Sequence, residues 1–228
     1  METNGYGIDG CSGGWILAAW DQSGYRWSFL DSLRGLFQEV GSSLVLIDIP
    51  IGLPTREQPF RRCDSEARRR IGKGRSSSVF SPPSGNASRS PSYSKALETN
   101  RAEVGKGFSI QAWNLVPKIR EVEEFLARSP TVDLRESHPE VCFQALSGSH
   151  DMGSKHTAEG ILKRMEILRR FDLDFDESLQ NATNCQPLKK AKMDDYLDAA
   201  ILARVAGGSL KFLPEDANPS EPKIWIPK

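Results

Sequence analysis

The sequence has few of the features that would place it in several large protein classes. Nowhere do about 18 apolar residues run together, the length a membrane-spanning helix needs, and the mean hydropathy is −0.45. Residues 1–7 carry neither the basic start nor the apolar run of a signal peptide. We therefore expect a cytoplasmic protein with no membrane association.

Cysteine is scarce, and its spacing argues against a cysteine-based zinc site or a disulfide framework. The chain has four cysteines, and no two of them are close enough in sequence to form a paired ligand motif. We expect reduced thiols that are mostly buried. These cysteines are Cys11, Cys63, Cys142 and Cys185.

Net charge is absent as well, because 30 Lys and Arg balance 30 Asp and Glu. A neutral total lacks the overall signature of a nucleic-acid-binding protein, although it can contain opposed local patches. Residues 53–75 form such a patch, with eight basic residues against three acidic ones. Residues 74–95 follow with nine Ser and three Pro, a composition that predicts a loop, mobile or lid-like.

The length of 228 residues allows one large domain or two small ones. Short β-branched and aromatic segments come first, and amphipathic helical patterns alternate with apolar strands later. This order predicts a single α/β domain over 1–228, with a mixed sheet flanked by helices, an insertion at about 53–108 and a tail at 208–228. The expected strands are 6–11, 15–20, 25–30, 44–49, 132–136 and a small one at 224–226, and the expected helices are 33–40, 117–126, 139–146, 157–171 and 194–206.

Several carboxylates stand where burial would be costly without a partner or a metal. Asp9 lies in the first strand, Asp48 ends the apolar segment LVLIDIP, and Glu136 ends the segment VDLRE. A turn aspartate at a hairpin end explains Asp9 equally well. Asp48 has no such explanation, and carboxyl ends of strands in open α/β sheets are common positions for sites.

The last predicted helix adds further acids at helical spacing. Asp195 and Asp198 are three residues apart and share one side of that helix. Asp194 and Asp195 also suit the positive N-terminus of a helix, whereas Asp198 is harder to explain in that way. If these acids converge with those of the strands, they form an oxygen-ligand site for two Mg²⁺ or Mn²⁺ ions. Two such ions about 3.5–4 Å apart can clamp a phosphodiester for in-line displacement.

Six ordered motifs carry a resemblance to a known family. They are GIDGC, IDIPIGLP, RRCDSEAR followed by SSSVF, GFSIQAWNLVPKIREVE, ESHPEVCF and DDYLDAA. Together, from Gly7 to about Ala206, they resemble the predicted ribonuclease H-like nucleases known as domain of unknown function 429. The resemblance implies a ribonuclease H-like fold with a five-stranded mixed sheet and an insertion after the fourth strand.

The same resemblance implies a metal-dependent nuclease similar in layout to Holliday-junction resolvases. Its ligands would be Asp9, Asp48, Asp195 and Asp198, with Glu136 as a further ligand. Asp48 stands where the resolvases more often have a glutamate, so its reach is shorter. The residues expected to contact substrate are Arg61, Arg62, Arg68, Arg75, Lys118, His138, Lys155 and Arg164. A solvated helix face explains Lys118, Lys155 and Arg164 equally well, and His138 equally suits a structural cap.

Three function classes remain open from the sequence. The first is a two-metal nuclease that hydrolyses phosphodiester bonds, with nucleic acid as partner. The second is a non-catalytic module that binds nucleic acid or a partner through the insertion. The third, less favoured, is an actin-like nucleotide phosphotransferase, which normally contains two related domains. DNA, RNA and small phosphorylated substrates remain open, as does homodimer formation.

Overall fold

Three antiparallel strands at the start of the chain form one half of a mixed sheet. In the computed structural model, which describes residues 4–72, 75–129, 131–148, 152–185 and 191–228, this sheet has five strands in the order β3-β2-β1-β4-β5. A smaller sheet pairs β6 with β7 near the C-terminus. The strands are β1 Gly5–Cys11, β2 Gly14–Asp21, β3 Gly24–Leu30, β4 Leu44–Ile47, β5 Asp133–Glu136, β6 Leu210–Leu213 and β7 Ile224–Pro227.

Ten α-helical segments occupy the described part of the chain. None of these helices combines the length and the apolar composition that crossing a membrane requires. They are α1 Leu36–Val40, α2 Arg62–Ile71, α3 Gly85–Ser88, α4 Tyr93–Val104, α5 Ile110–Asn114, α6 Val116–Arg128, α7 Pro139–Ser147, α8 Ala158–Arg169, α9 Phe175–Asn184 and α10 Met193–Ala206.

The central strand β1 has an antiparallel neighbour on one side and a parallel one on the other. It pairs with β2 in antiparallel fashion and with β4 in parallel, and β4 pairs in parallel with β5. The carboxyl ends of β1, β4 and β5 therefore meet at one edge of the sheet. Sites in open α/β sheets form at such an edge.

Helices cover both faces of the sheet, and side-chain alternation along the strands separates two hydrophobic cores. Ile8 of β1 and Ile47 of β4 belong to the core that includes α1 and α6. Leu46, one residue earlier than Ile47, belongs to the other core, which is formed with α7 to α10. Residues at alternate positions of one strand thus face different helices.

Helix α10 lies unusually close to β1, and two glycines make this approach feasible. A Cβ atom at Gly7 would overlap the carbonyl oxygen of Ala199, and one at Gly5 would overlap the carbonyl oxygen of Ala203. Because glycine has no Cβ, the helix backbone packs directly on the strand. The consequence is that the N-terminal turns of α10 stand beside the carboxyl end of β1.

The Ser-rich segment departs from its prediction as a loop. Two of its serines cap short helices: the Ser84 side chain accepts a hydrogen bond from the backbone of Ala87, and Ser92 accepts one from Lys95. Serine at these positions satisfies amide groups that the first helical turn leaves without partners. Low apolar content was therefore a wrong guide to residues 85–88 and 93–95 of the predicted loop, which are helical.

The sequence also did not predict helices α2, α5 and α9 or strand β6. Helix α9 occupies the polar stretch between the two last expected helices, and it buries Phe175 and Leu179. Strand β6 pairs with the expected strand β7. The cysteines match their prediction, because Cys11, Cys63 and Cys142 are buried free thiols.

Candidate functional site

A cleft of about 410 Å³ lies at the carboxyl ends of β1, β4 and β5. Four of the five predicted acidic ligands line the side of the cleft next to α10. Glu136 lines the cleft from the opposite face of the sheet. Helices α7 and α10 and residues 75–80 contribute other parts of the wall. The four acids on the α10 side are Asp9, Asp48, Asp195 and Asp198.

Strand register explains why Asp9 and Asp48 are neighbours. Ile8 pairs with Ile47 in the parallel ladder, so the residues that follow them lie side by side. Both isoleucines point into the core under α1 and α6. Because successive side chains along a strand point to opposite faces of the sheet, Asp9 and Asp48 point to the face on which α10 packs.

Asp198 enters the same space from the second turn of α10. It is only 1% exposed, and its Oδ2 accepts a hydrogen bond from Lys155 Nζ at 2.7 Å. Its other carboxylate oxygen, Oδ1, is buried with no hydrogen-bond partner. A buried carboxylate oxygen without a partner is unfavourable, so this atom indicates a ligand or a proton.

Burial raises the pKa values of all three carboxylates, and nearby negative charges add to the rise. Burial raises the pKa of Asp9 well above its usual range, and the negative charges of Asp198 and Asp48 raise it further. Burial also raises the pKa of Asp48, against the lowering effect of His138 and Lys155. The pKa of Asp198 is raised to about 7, mainly by burial, although Lys155 lowers it. The cluster therefore holds more negative charge than its surroundings neutralise.

Asp195 is less deeply placed than these three. Its carboxylate accepts a hydrogen bond at 2.8 Å from the backbone of Lys192 and so caps α10. The neighbouring Asp194 lies 3.8 Å from Lys155 Nζ. Burial raises the pKa of Asp195, but its cap role leaves it at the rim of the cluster.

Glu136 lines the cleft from the other face of the sheet. It pairs with Ile47 in the ladder and shares its direction, so it points away from α10. Its Oε2 accepts hydrogen bonds from the backbone of Ile51 at 2.7 Å and from Arg61. Burial raises its pKa to about 8, and the Arg61 guanidinium opposes that rise.

Arg61 is buried between two carboxylates and does not face open solvent. Besides Glu136 it donates a hydrogen bond to Asp64 at 2.9 Å, and its side chain is 1% exposed. The sequence reasoning did not single out Asp64. Its position three residues after Arg61, on the first turn of α2, was the available signal.

Three other basic residues from the predicted set line the cleft around the acidic cluster. Lys118 donates to the carbonyl of Gly14 at 2.6 Å. Arg75 bonds to Glu140 at 2.9 Å, while its Nη1 is buried without a partner. His138 has Nε2 3.3 Å from the carbonyl oxygen of Ser78, and its Nδ1 is also buried without a partner.

The remaining predicted substrate contacts lie outside the cleft lining. Arg62 forms exposed ion pairs with Asp216 and Glu221. Arg68 holds the segment above the cleft by donating to the carbonyl oxygen of Val79. Arg164 is fully buried and forms a two-fold hydrogen-bonded pair with Glu140. Much of the basic patch at residues 53–75 is therefore matched by acids of the same chain.

The donor chemistry of the acidic cluster fits a hard divalent cation. Within the described ranges, no three His, Cys, Asp or Glu side chains are already arranged as metal ligands. The cluster nevertheless consists only of oxygen donors, which Mg²⁺ and Mn²⁺ prefer. The buried oxygen of Asp198 without a partner supplies a coordination position that the protein itself does not use.

The fold and the cleft define an α/β protein with an acidic site at the carboxyl edge of a mixed sheet. Residues 7–218 match the family described as Protein of unknown function (DUF429). The chain belongs to this family. No curated protein and no solved structure gave a match.

Proposed function

We propose that the protein is a divalent-cation-dependent nuclease with a ribonuclease H-like fold. The observation that carries the proposal is the convergence of Asp9, Asp48 and Asp198 in one cleft, with a buried carboxylate oxygen left without a partner. The strand order and the placement of acids in β1, directly after β4 and on the last long helix support the fold assignment. The six sequence motifs support it independently.

In this proposal Asp9, Asp48 and Asp198 hold the cation, and Asp195 orients the start of α10. When bound, two such ions supply stabilisation of the attacking and leaving oxygens of a phosphodiester. Glu136 is not included among the ligands, since its charge is matched by Arg61 and the Ile51 amide. Its role is to hold the chain after β4 in place.

The proposed phosphate contacts are three basic side chains that line the cleft, Arg75, His138 and Lys118. Arg75 Nη1 and His138 Nδ1 are buried polar atoms without protein partners, and both side chains line the cleft. Lys118 lines the opposite side and lies beside Gly10. Such groups would position the phosphate backbone without selecting a base sequence.

A cleavage panel tests the proposal. Fluorescent single-stranded DNA, single-stranded RNA, duplexes, an RNA–DNA hybrid and a four-way junction are incubated with wild type and Mn²⁺ or Mg²⁺. We expect at least one substrate to be cut, and both Asp9→Asn and Asp198→Asn to lower that rate by about a hundredfold or more. Asp216→Asn, an exposed carboxylate outside the cleft, is the matched control.

The nuclease assignment fails if no substrate is cut at any metal concentration, or if the cleft variants cut as fast as Asp216→Asn. Thermal unfolding of each variant separates loss of activity from loss of the fold. Chelation by EDTA must stop the reaction, and added Mn²⁺ must restore it.

A non-catalytic binding module is the second candidate. The observation in its favour is the ion pair between Lys155 and Asp198, which partly neutralises the cluster without any metal. Binding of an oligonucleotide without cleavage would support this candidate. An actin-like phosphotransferase is not proposed, because the described ranges contain a single large sheet and no second related domain.

A further inference from the structure

Lys155 occupies the position in the acidic cluster where a cation would be expected. Its Nζ lies 2.7 Å from Asp198 Oδ2 and 3.8 Å from Asp194 Oδ2. The negative charges of Asp48 and Asp9 also act on this ammonium and help to raise the pKa of Lys155. The protein therefore supplies its own positive charge to the carboxylates.

This placement of Lys155 is built into the fold rather than left to a free side chain. The preceding segment is fixed by Arg164, which is fully buried and donates to the carbonyl oxygen of Met152 at 3.1 Å. Arg164 also binds both oxygens of Glu140 on α7. Pairing with a carboxylate stabilises this buried guanidinium, and its bonds to the backbone give residues 152–154 a fixed path.

A glycine on the next helix tightens the same segment. A Cβ atom at Gly160 would overlap the carbonyl oxygen of Ser154. Thr157 caps α8 by accepting a hydrogen bond from the backbone of Gly160. Lys155 lies between these two anchors, with its side chain 28% exposed. The backbone is thus held, while the ammonium retains access to solvent.

The carboxylates of the cluster outnumber the ammonium group that neutralises them. One ammonium contacts a cluster of at least three carboxylates, and Asp198 Oδ1 stays without a partner. A divalent cation at these carboxylates and an ammonium 2.7 Å from one of them would repel each other strongly at such short range. The divalent cation and the Lys155 ammonium therefore cannot both be bound tightly by these carboxylates at the same time.

We propose that Lys155 is a resident counter-ion that a divalent cation must displace from Asp198 before it binds the acidic cluster. This inference rests on the proposed function, since it assumes the cation site. The lysine then sets the cation concentration at which the site fills. When Lys155 is released from Asp198, its ammonium is free in the cleft. In the absence of cation it keeps the carboxylates together.

Isothermal titration of Mn²⁺ into wild type, Lys155→Met and Lys211→Met tests the proposal. Removing the competing charge should lower the Mn²⁺ dissociation constant of Lys155→Met by about tenfold or more. Lys211→Met removes a surface lysine paired with Glu215 and should leave the constant unchanged. Equal or weaker binding by folded Lys155→Met would overturn the proposal.

A second measurement on wild type covers the case in which Lys155→Met fails to fold. The ammonium ¹H–¹⁵N signal of Lys155 is followed by NMR during titration with diamagnetic Mg²⁺. We expect the signal to move toward the position of a solvated lysine at saturation, and an unmoved signal with Mg²⁺ bound elsewhere on the cluster would overturn the proposal.

These results separate the two proposals from each other. If wild type and Lys155→Met bind Mn²⁺ equally, the cation-dependent function stands and the counter-ion role fails. If only Lys155→Met binds, displacement is supported and cation use by the wild type fails. If neither binds, the cation site itself is absent and both proposals are overturned.

Discussion

Two groups of buried or half-buried acids lie on opposite faces of the same sheet edge, and they are neutralised to different extents. Glu136 and Asp64 share Arg61, and Glu136 also accepts the Ile51 amide hydrogen. Asp9, Asp48 and Asp198 contact Lys155 alone among the described ammonium and guanidinium groups, through Asp198.

The difference teaches which acids are structural. Buried charges that are hydrogen-bonded to an opposite charge hold a fold together, and removal of one partner is costly. Buried charges that lack partners lower stability and persist where they serve another purpose. The Arg61 cluster is therefore the structural one, and the Asp198 cluster is the candidate for function.

The largest expected effect comes from breaking the paired cluster. Arg61→Met leaves Glu136 and Asp64 buried without their cation, and should lower the free energy of unfolding by about 3–5 kcal/mol. Urea denaturation followed by circular dichroism measures it. Arg62→Met, the adjacent residue with exposed ion pairs, serves as control and should show no measurable change. A similar stability for both variants would contradict the structural role of Arg61.

Gly7→Ala should disrupt the cluster of Asp9, Asp48 and Asp198 while leaving Arg61 and its partners intact. The added methyl group overlaps the Ala199 carbonyl and pushes α10 from β1, at a cost of about 1–3 kcal/mol. Asp198 then moves from Asp9, so Mn²⁺ binding should weaken in isothermal titration. Gly35→Ala, where a Cβ meets only Leu30 Cδ2 at 3.7 Å, is the matched control. Unchanged Mn²⁺ binding in Gly7→Ala would show that close packing does not position the site.

Asp9→Asn tests the difference between the two clusters from the side of Asp198, because it removes one of the carboxylates that repel each other there. The metal-free variant is expected to be more stable than wild type at pH 8 by about 0.5–2 kcal/mol, while Mn²⁺ binding is lost. The asparagine oxygen can still accept the Gly10 amide hydrogen that Asp9 accepts at 2.8 Å. A destabilised variant that retains Mn²⁺ binding would place Asp9 with the structural acids.

The smallest effect is a pH dependence of the metal-free protein. Native Asp198 keeps its proton up to about pH 7, whereas an unfolded aspartate ionises near pH 4. Between these values the native state binds more protons than the unfolded state, so stability falls as the pH rises.

The loss attributable to Asp198 between pH 6 and pH 7 should be about 1 kcal/mol. Urea titrations of wild type and Asp198→Asn across this window measure it, and the variant should have the shallower dependence. Mn²⁺ affinity of wild type should rise over the same window, because the cation replaces the proton. Parallel stability curves for the two proteins would remove Asp198 as the source.

Much of the fold could be predicted from local pattern. Segments rich in β-branched and aromatic residues predicted β1 to β3, and the spacing of Leu197, Ile201 and Val205 predicted α10. Helices α2 and α9 were missed because their apolar stripes are narrow and their composition is polar. Their stability comes from packing of a few side chains, such as Cys63 and Phe175, on the rest of the protein.

The sequence by itself determined which acids are costly to bury and which strands and helix carry them. Only the tertiary structure decided which of them meet. Asp48 follows Ile47 by one residue and faces α10. Ile47 and its ladder partner Glu136 point to the opposite face of the sheet. Arg61 and Lys155 reach their carboxylates from segments far away in the chain. Side-chain direction depends on strand pairing, and charge neutralisation depends on distance in space, so neither follows from local spacing.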